Sequence, residues 1–259
     1  MRVLVLCSGG KDSSYATWWS LMQGWDVAGM VTVRITSTDS MMFQVPTTAL
    51  AGLQAASAGI PWLPIPIEGE EDSEMHQLEL ALESVVKGSL KERSGIWSSE
   101  EINAVRWPQG WSWPEELIRL RPGRPIDALV VGALRSDYQK TRIERMCHRL
   151  GIKSFCPLWH HGGIEHMRDL IEHNHRVMMT SVTSDGLGEE WLGRILDNAN
   201  LEDLENLAQK FRFHIDGEGG EFETAVLDAP WMNRRIKTQQ TSHWTGRRGW
   251  LDIWAAELV

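Results

Sequence analysis

Residues 8–13 read Ser-Gly-Gly-Lys-Asp-Ser, placing two hydroxyls, an ammonium and a carboxylate around a pair of glycines. The apolar run Val3-Leu4-Val5-Leu6-Cys7 precedes them, and a helix-compatible segment from Ser13 to Gln23 follows. A buried strand that bends at two glycines into a helix aims unpaired N–H groups and a partial positive charge at one point. Lys11 adds a full charge there, and Ser8 and Ser13 add hydroxyl donors. The chemistry this suits is the binding of a phosphate. The spacing is shorter than the G-x-x-x-x-G-K-[ST] loop that grips β- and γ-phosphates. The plain alternative is a polar turn between a strand and a helix, and the flanking elements favour the phosphate-binding turn.

The elements that must position this turn alternate along the first half of the chain. Arg2–Cys7 reads as a strand and Asp12–Gln23 as a helix, with Tyr15, Trp18, Trp19 and Met22 at three- and four-residue spacing. Asp26–Ile35 and Trp62–Ile67 read as strands. Between them Thr47–Ala58 is helical, with Leu50, Leu53 and Gln54 along one face and Gly59 as its stop. Glu70–Val86 is a long amphipathic helix, Asp127–Leu134 a strand covered on both faces, Tyr138–Leu150 a helix and Lys153–Pro157 a short strand. Strands separated by helices imply a parallel sheet with right-handed crossovers and a ligand at the carboxyl ends of its strands. The turn after the first strand and Gly132-Ala133-Leu134-Arg135 both lie at such ends.

Residues 87–125 break the pattern, with Trp97, Trp107, Trp111 and Trp113 among Gly, Pro and Ser. They read as an insertion or flap, or equally as a packed loop. From about Leu158 the character changes: helices over Gly163–His173 and Glu189–Phe211, a strand over Arg176–Thr183, and two antiparallel strands over Arg234–Val259 joined by Thr245-Gly246-Arg247-Arg248-Gly249. That predicts a second, smaller α+β domain.

Bulk properties narrow the class. A chain of 259 residues suits one large domain or two modest ones. It shows no apolar stretch long enough to span a bilayer and no signal-peptide pattern, so a cytoplasmic protein is expected. Cys7, Cys147 and Cys156 form no C-x-x-C pair, which argues against a disulfide framework, zinc or an iron–sulfur centre. A net charge of −9 argues against non-specific nucleic-acid binding, since the basic clusters at Arg142–Arg149 and Arg234–Lys237 are local. The 14 tryptophans read mostly as core or interface anchors. None of the histidines, His160, His161, His166, His173 and His175 included, follows a zinc spacing, and no protein-held metal site is expected.

Further motifs stand in order along the chain: GALRSDYQKTRIE at 132–144, Pro157-Leu158-Trp159, GLGEEWLGR at 186–194 and GEGGEFET at 217–224. Together with SGGKDS they resemble the diphthine–ammonia ligase family, an N-type branch of the ATP pyrophosphatase (PP-loop) superfamily. The resemblance runs from the first strand to Met232. It implies a PP-loop (HUP, Rossmann-like) nucleotide-binding α/β domain over residues 1–157, with the Trp-rich insertion at about 87–125, and a smaller α+β substrate domain over 158–259. It implies Mg²⁺ and ATP, ammonium as co-substrate and elongation factor 2 bearing diphthine as acceptor. A homodimer is a candidate assembly, and neither membrane nor nucleic acid is an expected partner. Because the chain runs from Met1 straight into the nucleotide strand, free ammonium rather than glutamine is the expected nitrogen source.

The resemblance also assigns roles. Ser8, Gly9, Gly10 and Ser13 would cradle the departing pyrophosphate, with Lys11 offsetting its charge. Asp12 would cap the helix or help hold Mg²⁺, the cap being the commoner role. Gly132, Ser136 and Asp137 would line the nucleotide, Asp137 alternatively being an N-cap. Lys140 and Arg142 are candidates for the α-phosphate or the substrate carboxylate, Tyr138 stands beside them, and Arg145 and Arg149 read as a solvated face. Glu218, Gly219, Gly220, Glu221, Glu223 and Thr224 would meet the fixed positive charge of diphthine; an acidic surface turn is the plain alternative. Trp191 and Trp231 read as core, with cation–π contact as the lesser reading.

Two features depart from the family pattern. Met42-Phe43-Gln44 stands where that pattern has Met-Phe-His, and glutamine cannot act as an acid or base near neutral pH. The Trp-rich stretch is also longer. Other readings are another adenylating PP-loop enzyme, for example one that modifies tRNA, and a nucleotide sensor without chemistry. The acidic charge and the GEGGEFET segment oppose the first, and the intact motifs oppose the second.

Overall fold

The computed structural model describes residues 1–35, 41–67, 74–89, 96–120, 123–132 and 137–259, without the side chains of residues 35 and 41–48. A five-stranded parallel sheet runs β3-β2-β1-β4-β5, from β1 (Arg2–Leu6), β2 (Asp26–Ile35), β3 (Trp62–Ile67), β4 (Ala128–Val130) and β5 (Lys153–Phe155). Central placement explains why β1 is apolar from Val3 onward: Val3 and Val5 join the core on one face and Leu4 the core on the other. Pro64 and Pro66 can sit in β3 because it is the edge strand, where a missing N–H breaks no ladder.

The helices are α1 (Lys11–Met22), α2 (Met41–Ala58), α3 (Glu74–Val86), α4 (Ser99–Val105) and α5 (Asp137–Leu150). The predicted start of α3 at Glu70 lies outside the described residues. The aromatic face expected of α1 is not its buried face. Ser13, Ser14, Ala16, Thr17 and Ser20 are buried instead, while Met22 is exposed. Small polar residues can fill that face because the Thr17 and Ser20 hydroxyls donate to the carbonyls of Ser13 and Ala16, both at 2.8 Å. Tyr15, Trp18 and Trp19 pack half-buried at its flank.

β4 is shorter than the predicted Asp127–Leu134 strand. Gly132 already abuts the start of α1, and residues 133–136 lie outside the described residues. Arg149 is exposed but not idle: its guanidinium clamps both oxygens of Glu79, tying α5 to α3.

The Trp-rich stretch is packed. Ser98 and Glu101 form a reciprocal capping box that starts α4. Trp62, Trp97, Trp107, Trp111 and Trp113 stack in a chain of edge-on and tilted contacts. The segment at 118–120 lies along β3, with Trp62 N–H donating to the Ile118 carbonyl at 2.8 Å and Leu120 N–H to the Trp62 carbonyl at 3.1 Å.

The second half supplies α6 (Gly163–Glu172), β6 (Arg176–Val182), α7 (Asn198–Phe211), β7 (Phe222–Asp228), β8 (Ile236–Trp244) and β9 (Gly249–Leu258). The strands form a four-stranded sheet in the order β7-β6-β9-β8, and the predicted terminal hairpin is β8–β9. The predicted Glu189–Phe211 helix is two elements. Glu189–Trp191 is a single 3₁₀ turn, Ile195 then bridges Met178, and Asp197 with Asn200 forms the capping box that starts α7. One apolar core runs from the α1 and α2 face of the parallel sheet into the second sheet.

Candidate active site

The Ser8–Ser13 turn leaves β1 at the carboxyl end of the sheet. Gly9 takes a φ of 90°, a left-handed conformation that glycine adopts without strain. Gly10 is the N-cap of α1 in extended conformation and offers no side-chain cap. The Ser13 hydroxyl donates to the Gly10 carbonyl at 3.0 Å and accepts from the Ser8 N–H at 3.3 Å, closing the turn on itself.

The turn is seated on the second half of the chain. Val226 N–H donates to the Gly9 carbonyl at 3.0 Å, and Lys11 N–H to the Thr224 hydroxyl at 3.2 Å. Gln54, buried in α2, donates its amide to the Gly9 and Val226 carbonyls at 2.9 and 2.7 Å. The Trp231 indole donates to the Ser14 hydroxyl at 3.1 Å, so this tryptophan is a core anchor, as its sequence context favours. Gly132 lies so close to α1 that an added Cβ would stand 2.5 Å from the Asp12 carbonyl carbon.

Lys11 is 5% exposed, and its ammonium pairs with both Asp12 oxygens, at 2.9 and 2.7 Å. Asp12 also meets His166 Nε2 on α6 at 2.8 Å. The preferred reading of Asp12 as a helix cap therefore fails: the capping position belongs to Gly10, and the carboxylate faces Lys11 and His166. Burial by itself would raise that carboxyl, but the Lys11 charge and the His166 hydrogen bond outweigh it and hold it below the usual range. Burial pushes the Cys7 thiol beneath the turn up to about 11, so it stays protonated at neutral pH.

Two adjoining clefts open here. One, of about 350 Å³, is lined by Leu6, Val31, Val33 and Val131 on its apolar side and by Ser8, Asp12, Ser13 and Gly132 on its polar side. The other, of about 250 Å³, lies between Gly10, Lys11 and the Gly217–Thr224 segment. Ser8, Asp12, Gln139 and Glu218 line both. Among the described lining residues Lys11 is the one cation, set against Asp12, Glu218 and Glu223. Glu223 shows much of its area to solvent yet is closely surrounded by protein atoms. That crowding, with Asp12 nearby, raises its carboxyl against the opposing pull of Lys11.

Most residues assigned from sequence meet at these clefts: Ser8, Gly10, Lys11, Asp12, Ser13, Gly132, Glu218, Gly220, Glu223 and Thr224. Others do not. Glu221 accepts from the His214 and Gly219 N–H groups at 2.8 and 2.7 Å and so pins the acidic turn from within. Burial opposes its ionisation, but these donors prevail and hold its carboxyl below the usual range. Gly219 lines neither cleft, and neither do Tyr138, Lys140, Arg142 and Asp137. The Arg142 guanidinium lies 4.8 Å over the Tyr138 ring and donates to its hydroxyl. Lys140 pairs with Glu144 at 2.6 Å and lies 4.8 Å over the Trp159 ring. Ser136 and the side chain of Gln44 lie outside the described residues. Sequence reasoning missed Gln139, Gln54 and His166 as members of the site. For Gln139 the signal was its place inside the SDYQKTR segment; for the other two only the fold supplies it.

A strand feeding a glycine-bent turn into a helix, with clefts at the carboxyl ends of a parallel sheet, defines a nucleotide-binding α/β protein of the PP-loop kind. The family model for the diphthamide synthase N-terminal domain matches residues 1–101 and 114–154, and that for the diphthamide synthase C-terminal domain matches residues 163–259. The chain belongs to the diphthamide synthase family. It is 28% identical over 244 residues to the diphthine–ammonia ligase of Homo sapiens, covering 91% of this chain and 82% of that protein. It is 30% identical over 246 residues to the diphthine–ammonia ligase of Schizosaccharomyces pombe, with 91% of this chain matching 36% of that protein. A solved structure described as a predicted subunit of tRNA methyltransferase from Methanocaldococcus jannaschii is 16% identical, covers 89% of this chain and 98% of its own, and has a TM-score of 0.40. That likeness is too distant to bear on fold or function. The N-terminal family model leaves out residues 102–113, which include Trp107, Trp111 and Trp113.

Proposed function

We propose that this chain is an ATP-dependent diphthine–ammonia ligase, amidating the carboxylate of diphthine on elongation factor 2. The observation that carries the reading is the meeting of Lys11 and Asp12 with Glu218, Glu223 and Thr224 around one pair of clefts. The phosphate turn and the acidic turn lie some two hundred residues apart in sequence, and family membership supports joining them in one reaction.

A carboxylate is a poor acyl donor to ammonia because oxide would have to leave. Attack of one carboxylate oxygen on the α-phosphorus forms a new P–O bond and breaks the bond to the β-phosphate, giving an acyl-adenylate and pyrophosphate. Ammonia then adds to the activated carbonyl, AMP departs with the C–O bond electrons, and a proton is lost. The turn's N–H groups and Lys11 would take up the charge gathering on pyrophosphate. Glu218 and Glu223 would face the fixed positive charge of the acceptor, and the apolar wall of Leu6, Val31, Val33 and Val131 would take a nucleobase.

Three acids against one lysine is a poor site for a bare polyanion, which fits ATP entering as its Mg²⁺ complex. Among the described residues no group of His, Cys, Asp or Glu forms a ready-made metal cage. That suits an ion held mainly by phosphates and water with one or two carboxylates, here Asp12 and Glu218. Bound there, Mg²⁺ would neutralise phosphate charge. No helix among the described residues is long and apolar enough to cross a membrane.

The test is release of pyrophosphate and AMP from Mg·ATP and ammonium, with and without diphthine-bearing elongation factor 2. Release that requires the acceptor, amidation seen by mass spectrometry and loss of both in Lys11→Ala are expected. ATP binding without turnover on that acceptor would reject the substrate.

A further inference from the structure

We propose that His166 is a positioning residue for the nucleotide step: from the second half of the chain it fixes the Asp12 carboxylate, and through it the ammonium of Lys11. The inference rests on the nucleotide role given above to the Ser8–Ser13 turn. His166 sits on α6, is wholly buried, and places Nε2 2.8 Å from Asp12 Oδ1. A carboxylate oxygen accepts only, so Nε2 carries the proton. Nδ1 is also buried and has no hydrogen-bond partner. The neutral Nε2–H tautomer satisfies both facts, because it leaves a lone pair rather than a second N–H without a partner. The Tyr15 ring meets the imidazole edge-on at 5.1 Å and that of His161 lies at 6.2 Å, which holds the ring in its plane.

The consequence lies at Lys11. Its ammonium has three donors, and the two Asp12 oxygens take at most two of them, which leaves one for a phosphate oxygen. Without His166 the carboxylate would be held at Lys11 alone and could swing with it into the cleft. With His166 the pair is anchored at a third point, on an element that the β1–α1 unit does not contain. Tyr15 reaches the same helix through Asp169, 3.5 Å from its hydroxyl, so α1 and α6 meet through polar contacts at two places.

His166→Leu removes the donor and keeps an apolar fill, while His166→Gln returns an amide N–H where Nε2 stood. His175→Leu is the burial control: His175 is also buried, packs beside Trp18, and has neither ring nitrogen in a hydrogen bond. Mg·ATP affinity by calorimetry, pyrophosphate release, the KM for ammonium and thermal unfolding are measured on all four proteins. The expected result is a loss in ATP affinity or pyrophosphate release of roughly 10- to 100-fold for His166→Leu, the range for a hydrogen bond to a charged group. The KM for ammonium should stay unchanged, His166→Gln should recover most of the loss, and His175→Leu should bind ATP as the wild type does. Wild-type nucleotide binding and pyrophosphate release in a folded His166→Leu would overturn the proposal. So would equal damage in folded His166→Gln, or an equal loss in His175→Leu. Should the wild type bind Mg·ATP but leave diphthine unamidated, the ligase reading falls while the comparison of affinities still decides the role of His166.

Discussion

The side-chain amide of Gln54 donates to the backbone carbonyl of Gly9 at 2.9 Å and to that of Val226 at 2.7 Å. One buried side chain thus joins α2, the phosphate turn and β7. Gln54→Leu removes both donors from a place with no exposed surface and is expected to destabilise the fold by about 2–4 kcal/mol. Because Gly9 is one of the two anchors, ATP affinity should fall further than the loss of stability explains. Urea unfolding together with ATP titration checks this. A variant that binds ATP normally would show that the turn keeps its shape without the bridge.

Gly132→Ala should damage the site through space rather than backbone conformation. The new Cβ would stand 2.5 and 2.6 Å from the Asp12 carbonyl carbon and oxygen and 2.9 Å from the Ser13 nitrogen, all of them backbone atoms. Either β4 retreats or α1 does, at about 1–3 kcal/mol for overpacking. A drop in melting temperature with a larger drop in ATP affinity is expected, since α1 carries Lys11. An unchanged melting temperature would mean that the two elements slide apart freely.

Trp111 fastens the stretch that the family model omits. Its indole N–H donates to the Ile253 carbonyl at 2.9 Å, and the neighbouring Ser112 N–H reaches the Ala256 carbonyl at 3.2 Å. Residues 111 and 112 therefore serve the side of β9 away from β8. Trp111→Phe should cost about 1 kcal/mol for the hydrogen bond, and Trp111→Ala about 3–5 kcal/mol for a large buried side chain. Neither should alter pyrophosphate release measured well below the melting temperature. A catalytic defect in Trp111→Phe would assign this stretch a part in acceptor binding.

The alternation of strands and helices was legible from periodicity: β2 and β3 fall at their predicted bounds, and the β8–β9 hairpin follows from its glycine-bearing turn. Where the reading failed, a tertiary contact had overruled local pattern. The face of α1 was misjudged because hydroxyls that bond back into the helix can be buried as readily as aromatics. The long helix after Glu189 was broken by a bridge from Ile195 to Met178, which no local rule announces. The site shows the same division. Lys11 and Glu218 were readable from motifs, but the Asp12–His166 contact spans 154 positions and comes from an element with no motif of its own.

His175 offers a test of the buried histidine layer through pH. Burial is the main cause that pushes its imidazole down to about 4 from an ordinary 6.5. Between those values the unfolded chain binds a proton that the folded chain refuses, so this group makes stability fall as pH falls. The slope is at most about 1.4 kcal/mol per pH unit, and the whole window is worth about 3 kcal/mol. Above pH 6.5 both states are neutral at this position and the contribution is flat. His175→Leu should therefore match or exceed wild-type stability at pH 7.5, since it removes two buried nitrogens that make no hydrogen bond. At pH 4.5 it should be clearly the more stable of the two. Urea midpoints for both proteins at pH 7.5, 5.5 and 4.5 decide the matter: curves that converge toward neutral pH support a neutral buried imidazole, and parallel curves would mean that His175 is protonated in the folded protein as readily as in the unfolded chain.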